Sequence, residues 1–270
     1  SLKMMRRKAC GFNSHPGHNM PPPSTKAIDQ DFFKRWSSNM AYVLGYFVAD
    51  GCVSTSQRRP NNPYTFNITS KDLEHLQNIC KVLHSNYKIS KKSGSSSNIA
   101  YQIQIRNSVL AKDLMKLGIY PRKTYNLGVL NIPKSYFADF VRGFFDGDGT
   151  VYIYNVNGVK QLKSGFVSVS LDFMEDFNVK LCKALGIIEK PLHRSVGKPM
   201  MQYTSCFYID DSKKLAQLMY GKKPLLYLER KKEIFDKWDA IKKATRKKNF
   251  TKKNYPSKIG WRLSEGVKVN

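Results

Sequence analysis

The sequence predicts an α+β fold: two pseudo-symmetric αββαββα halves, each a four-stranded antiparallel sheet with helices on one face, joined through a central pair of helices. Three observations predict it. An apolar helical segment ending in Asp-Gly occurs twice, once up to Gly51 and once up to Gly149. The elements that follow each copy recur in the same order. The 270 residues are enough for two halves with proper cores.

The first segment is Met40-Ala41-Tyr42-Val43-Leu44-Gly45-Tyr46-Phe47-Val48-Ala49-Asp50-Gly51, and the second is Phe140-Val141-Arg142-Gly143-Phe144-Phe145-Asp146-Gly147-Asp148-Gly149. Both are apolar nearly all round, so each reads as a buried helix. Ser37, Ser38 and Asn39 are N-cap candidates for the first, and Ser135 for the second. After the first come a short strand, Cys52–Ser56, a polar loop, and an alternating strand, Tyr64–Thr69, with Phe66 and Ile68 on one face. Leu73, Leu76, Ile79, Val82 and Leu83 then mark a helix. Two more strands, Lys88–Lys92 and Ile99–Arg106, flank the loop Ser93–Asn98. After the second copy, Thr150–Tyr154 is a strand, Asn157-Gly158 a hairpin turn, Phe166–Ser170 a strand and Met174–Leu185 a helix. Leu192–Val196 and Gln202–Ile209 are strands around Gly197-Lys198-Pro199.

The divisions are an extended basic arm at 1–28, a first half at 29–125, a linker at 126–134, a second half at 135–241 and a basic tail at 242–270. Asp29–Ser37, with Phe32, Phe33 and Trp36, reads as a short helix on the core. In the arm, Cys10, His15 and His18 lack an evident fourth ligand for zinc.

Lys and Arg number 46 against 20 Asp and Glu, a net charge of +26. So basic a chain attracts polyanions. No apolar stretch is long enough to span a bilayer, and the basic runs lack the apolar face of a membrane-surface helix. Nucleic acid is therefore the expected partner. Five cysteines, an odd number without CxxC spacing, suit a reduced intracellular protein in a bacterial cytoplasm or an organelle.

Within each motif a Gly and a small residue lie four apart on one helix face: Gly45 with Ala49, and Gly143 with Gly147. Two such bare strips let two helix backbones approach closely. Asp50 and Asp148 then converge at the paired C-termini, where the helix dipoles disfavour negative charge. A divalent cation between them resolves the conflict. The carbonyls of Ala49 and Gly147 are candidate further ligands, and a hard oxygen set suits Mg²⁺ or Ca²⁺. Carboxylates and metal ions beside a polyanion are the parts for phosphodiester hydrolysis.

The two segments resemble the signature of the LAGLIDADG homing endonucleases, in the form that carries both motifs in one chain. The similarity spans roughly residues 30 to 240 and implies a monomeric, metal-dependent endonuclease with Mg²⁺ as cofactor, Mn²⁺ or Ca²⁺ occupying the same site. The final acid of each motif, Asp50 and Asp148, takes the catalytic position. The family's earlier acid is Asp146 in the second motif but Val48 in the first, which makes Asp146 structural. A water-ordering basic residue near the end of each half maps to Lys123 and to Lys222, with Lys223 a close competitor. The polar position after the second strand maps to Ser70 and to Asp172.

The resemblance also implies two sheets lying along double-stranded DNA. The strand faces opposite the core are polar: Ser54, Ser56 and Arg58; Thr65 and Asn67; Gln102, Gln104 and Arg106; Tyr152 and Tyr154; Ser168; and Gln202 and Thr204. Such side chains can read base edges, and because the halves differ the target is expected to be asymmetric. Arg58-Arg59, Lys91-Lys92 and Arg246-Lys247-Lys248 suit phosphates. Intron RNA, bound by a maturase of the same fold, is the alternative partner. A catalytically silent DNA-binding regulator is a further alternative, which the presence of both aspartates disfavours.

Overall fold

The computed structural model describes residues 26–253, except 59, 93–98 and 196–199. The arm before residue 26, with Cys10, His15 and His18, and both loops at 93–98 and 197–199 lie outside the described residues, as does the tail beyond 253. The first half runs α1 (Ser38–Asp50), β1 (Gly51–Thr55), β2 (Tyr64–Ser70), α2 (Leu73–Val82), β3 (Ile89–Lys92), β4 (Ala100–Arg106), α3 (Ser108–Lys116) and a short α4 (Lys123–Asn126). The second runs α5 (Phe137–Asp148), β5 (Thr150–Val156), β6 (Val159–Ser168), α6 (Leu171–Leu185), β7 (Leu192–Ser195), β8 (Gln202–Tyr208), α7 (Ile209–Tyr220) and α8 (Glu229–Lys253). The sheets are antiparallel with equivalent orders, β1-β2-β4-β3 and β5-β6-β8-β7.

The α1 helix starts where Ser37 Oγ accepts the Met40 amide at 3.1 Å, which satisfies one of the free N-terminal donors. The α5 helix does not start from Ser135. Pro133 turns the chain, and Lys134–Tyr136 form a 3₁₀ turn that supplies the first hydrogen bonds instead of a side chain. The two motif helices pack against each other along their small residues. A methyl group on Gly45 would overlap the Phe140 carbonyl oxygen, and one on Gly143 the Tyr42 carbonyl oxygen. A methyl on Gly147 would strike the Ala49 methyl. The contact is therefore backbone against backbone, as the bare strips require.

Each sheet turns alternate residues toward its helices. Val53, Phe66 and Ile105 stand in one cross-strand row and Ile68 and Ile103 in the next, all buried. In the second half the core is aromatic: Phe144 stacks on Phe166 and meets Phe173 and Phe177 edge-on. Asn157 and Gly158 both take positive φ (49° and 81°), and Val156 pairs Val159, so the predicted turn is a two-residue hairpin.

Four elements depart from the sequence reading. Strand β6 begins at Val159 rather than Phe166, because the polar stretch Lys160–Lys163 still pairs with β5. Ile209 opens α7 instead of closing a strand. Residues 30–35 form turns rather than a helix, although Phe32 and Phe33 are buried as expected. The long α8 runs without a break across position 242, where a separate tail was expected to begin. Among the described residues, no helix is long and apolar enough to cross a membrane.

Candidate active site and nucleic-acid interface

The motif helices end in Asp50 and Asp148, and β1 and β5 start on the next residues but one or sooner. Each aspartate therefore lies between the central helix pair and the first strand of its own sheet. Burial raises the Asp148 carboxyl to about 6, and the nearby charge of Asp50 adds to the rise. Asp50 is raised too, chiefly by burial, with Lys231 the strongest opposing charge. Two carboxylates that resist ionising side by side form a site with a deficit of positive charge.

Two lysines reach this site. Lys123 Nζ donates to the carbonyls of Val48 and Ala49, the latter at 3.0 Å. Lys231 Nζ donates to the carbonyls of Phe145 at 2.6 Å, Asp146 at 2.8 Å, Gly147 at 3.2 Å and Gly149 at 2.6 Å. Each lysine thus caps the C-terminus of its own half's motif helix, whose last carbonyls have no partner within the helix. Burial lowers the ammonium of Lys231 to about 8 and also lowers that of Lys123. The carboxylate influences cross over. Of the two motif aspartates, Asp148 acts more strongly on Lys123, and Asp50 more strongly on Lys231. Each lysine therefore feels the far half's motif aspartate more than its own. A cavity of about 210 Å³ on one side is lined by Val48, Ala49, Lys123, Asp148, Ser168 and Gln202 among others.

The second lysine position corrects the sequence reading. Lys222 and Lys223 lie exposed in the connection after α7, and Lys231 in the first turn of α8 occupies the place that matches Lys123. Lys222 keeps the first half's spacing closely, 74 residues after Asp148 against 73 from Asp50 to Lys123. However, α6 and α7 have 15 and 12 residues where α2 and α3 have 10 and 9, so the equivalent point falls later. One signal was available: the dipeptide Arg-Lys recurs at Arg122-Lys123 and Arg230-Lys231.

Ser168 is also corrected. It shares parity with Leu162, Ser164 and Phe166, which face the helices, so it does not belong to the outward surface. Ser70 ends β2 as Ser168 ends β6, each 20 residues after its motif aspartate. Each accepts the amide two residues on, Asp72 N at 3.1 Å and Ser170 N at 3.3 Å. Ser168, not Asp172, is thus the counterpart of Ser70; Asp172 sits in the first turn of α6. Asp146 is buried and accepts the Tyr42 hydroxyl at 2.7 Å and the Leu228 amide at 2.8 Å.

The fit of a divalent cation rests on the donor set. Asp50 and Asp148 are hard oxygen donors whose charge is poorly compensated. The carbonyls of Ala49 and Gly147 already accept lysine hydrogen bonds, so the carboxylates are the stronger ligand candidates. Among the described residues no cluster of three or more His, Cys, Asp or Glu side chains could hold a metal by itself. A cation here therefore needs oxygens from outside the protein, as Mg²⁺ beside a phosphate commonly does.

The other expected residues fall on the outward sheet faces. Ser54, Thr65 and Arg106 form one cross-strand row, and Cys52, Asn67 and Gln104 the next. Thr69, Gln102 and Ser90 form a third. Ser56 and Arg58 lie just beyond β1, Arg58 fully in the exposed turn. In the second sheet Tyr152, Lys163 and Tyr208 share a row, with Tyr154 opposite Gln161, Thr204 opposite His193, and Gln202 opposite Ser195. Lys163, Gln161 and His193 were missed, because β6 and β7 show no clean apolar alternation in the sequence.

Comparison with known proteins agrees with this architecture. The model of the LAGLIDADG-like domain matches twice, over residues 37–117 and 135–218. The chain belongs to the LAGLIDADG family. Among solved structures, it is similar to the homing endonuclease I-GzeII in complex with its DNA target, with 13% identity and a TM-score of 0.54, covering 77% of this chain and 91% of that one. It is also similar to I-SmaMI bound to uncleaved DNA in the presence of calcium ions, with 15% identity and a TM-score of 0.53, covering 80% and 93%. I-CpaMI bound to uncleaved DNA gives 14% identity and a TM-score of 0.51, covering 80% and 94%. At such identities the likeness is one of fold. No curated protein sequence matches.

Proposed function

We propose that this protein is a monomeric, site-specific endonuclease that hydrolyses both strands of a long, asymmetric double-stranded DNA target. The carrying observation is the meeting of Asp50, Asp148, Lys123 and Lys231 at the paired helix ends, between two outward polar sheets. Asp50 and Asp148 would hold divalent ions, with Mg²⁺ the expected cofactor and Ca²⁺ or Mn²⁺ alternatives. The ions would activate water and stabilise the leaving oxygen. Lys123 and Lys231 hold the helix-end carbonyls in place and set positive charge beside the scissile phosphates. The outward rows would read base edges, and the different side chains of the two sheets favour an asymmetric target. Exposed Lys91 and Lys92 at the edge of the first sheet would hold phosphates. The relatives of the same fold solved with DNA support the reading, and homing in a bacterial cytoplasm or an organelle is part of the same proposal.

The test is cleavage of a randomised duplex library with Mg²⁺, comparing the parent with Asp50→Asn and Asp148→Asn. The expected result is one non-palindromic site, cut by the parent and bound but not cut by either variant. Tight binding without cleavage in Mg²⁺ or Mn²⁺ would overturn the nuclease reading, and preferential binding of structured intron RNA would favour a maturase.

A further inference from the structure

We propose that Asp146, together with Arg142 one turn earlier on α5, positions Lys231, so that one end of the active site is held by a buried arginine–aspartate anchor that the end served by Lys123 lacks. The inference rests on the nuclease reading of the site. Lys231 lies at the start of α8, after a connection of eight residues from Gly221 to Leu228. In that connection Leu226 and Leu228 are buried, whereas Leu225 is 88% exposed. The connection's hydrogen-bonding anchors come from α5. Arg142 donates from Nε to the Leu226 carbonyl at 2.8 Å and from Nη1 to the Met219 carbonyl at 3.0 Å. Asp139 holds its remaining nitrogen at 2.7 Å. Asp146 takes the Leu228 amide through Oδ2, three residues before Lys231.

The same carboxylate reaches into the first half. Tyr42 gives its proton to Asp146, and its oxygen lies 3.0 Å from His75 Nε2. Beside Lys231, Arg230 grips Asp72 at 3.1 Å, again across the halves. Arg142 and Asp146 lie 98 residues after Leu44 and Val48 of the first motif. Neither Leu nor Val has a side-chain donor or acceptor, so α1 cannot hold the approach to Lys123 in this way. A rigidly held group near the reacting phosphate helps more than one that must be ordered by the DNA. The two strand cuts should therefore depend unequally on these anchors.

The experiment uses the full chain with Asp146→Val, which installs the first-half residue, Asp146→Asn, which retains an acceptor, and Arg142→Leu as a second variant in case Asp146→Val fails to fold. Two readouts are taken. One is acylation of Lys231 relative to Lys123 at one fixed pH, by mass spectrometry without DNA. The other is the separate rate of each strand cut on a supercoiled target. Asp146→Val or Arg142→Leu should raise Lys231 labelling at least tenfold and slow one strand at least tenfold more than the other, so that nicked product accumulates. Asp146→Asn should restore most of both. Unchanged Lys231 labelling, or equal slowing of both strands, would overturn the proposal. If the parent cuts no DNA, the nuclease reading fails by itself and the labelling still decides whether Asp146 positions Lys231.

Discussion

The two halves share strand order, a motif helix and a lysine that caps its end, yet they secure that lysine differently. Lys231 is 6% exposed and donates to four carbonyls, whereas Lys123 donates to two. Around Lys231 stand Arg142, Asp146 and Arg230 with their partners. The matching positions of α1 carry Leu44 and Val48. The difference teaches that a duplicated fold can keep its geometry while dividing the labour. One half contributes a fixed electrostatic frame, and the other leaves its lysine on a four-residue helix entered through Arg122 in a left-handed conformation.

The largest expected effect breaks this comparison directly. Lys231→Met takes the lysine donor from four helix-end carbonyls, of which that of Phe145 keeps the Gly149 amide. Each unsatisfied group costs on the order of 1–3 kcal/mol, less where water can replace the lysine. A net loss of about 2–4 kcal/mol is expected for Lys231→Met and roughly 1 kcal/mol for Lys123→Met. Thermal unfolding without DNA measures both, and equal losses would show that the halves are equivalent after all.

The next effect should be the same in both halves. Gly45→Ala and Gly143→Ala each push a methyl into the facing helix's backbone, where no flexible side chain can yield. Overpacking of this kind costs about 1–3 kcal/mol. Similar drops in denaturation midpoint are expected for the two variants. A large drop in one alone would mean that the helix pair is less symmetric than its contacts.

How much of this was legible in the sequence depends on the length scale of the signal. The motif helices, the bare strips and the alternation of Phe66, Ile68, Ile103 and Ile105 are local periodic patterns, and they placed the core, the helix pair and both aspartates. Lys231 was not legible, because its position depends on the accumulated extra length of α6, α7 and the connection to α8. Ser168 was misassigned for a related reason: a strand's face is set by register, and the start of β6 is hidden in a polar stretch. The anchoring by Arg142 and Asp146 depends on long-range contacts with Leu226 and Leu228, which no spacing announces.

A smaller effect separates the aspartates. Asp148 is raised to about 6 by burial and by Asp50. A carboxyl raised on folding favours the folded state most below its ordinary pKa, and that contribution is lost as the pH climbs through about 6. The parent should therefore lose stability relative to Asp148→Asn between about pH 4 and 6.5, by roughly 1–2 kcal/mol after allowance for solvent screening at a half-buried site. Asp50 is the more exposed of the two, and Asp50→Asn should gain less. Millimolar Ca²⁺ at pH 7 should raise the melting temperature of the parent but not of either variant. A parent melting curve indifferent to both pH and Ca²⁺ would remove the charge conflict from the site.

The remaining effects concern the sheets and act on binding rather than on folding, and they sharpen the comparison on the DNA side. The first sheet presents Gln104 and Arg106 outward, side chains able to make two hydrogen bonds to one base edge. The second presents Tyr152, Lys163 and Tyr208 in one row, with Lys163 Nζ 5.4 Å from the Tyr208 ring centre. Gln104→Ala should cost about 1–3 kcal/mol against the preferred base and relax selectivity at one or two positions of one half-site. Lys163→Ala should instead weaken binding across sequences and reduce the slope of log K against log salt by about one phosphate's worth. Selection of sites from a randomised duplex library, repeated at two salt concentrations, separates these outcomes. If Lys163→Ala relaxes sequence choice as strongly as Gln104→Ala, then the second sheet reads bases too, and the two halves differ in which bases they prefer rather than in how they bind.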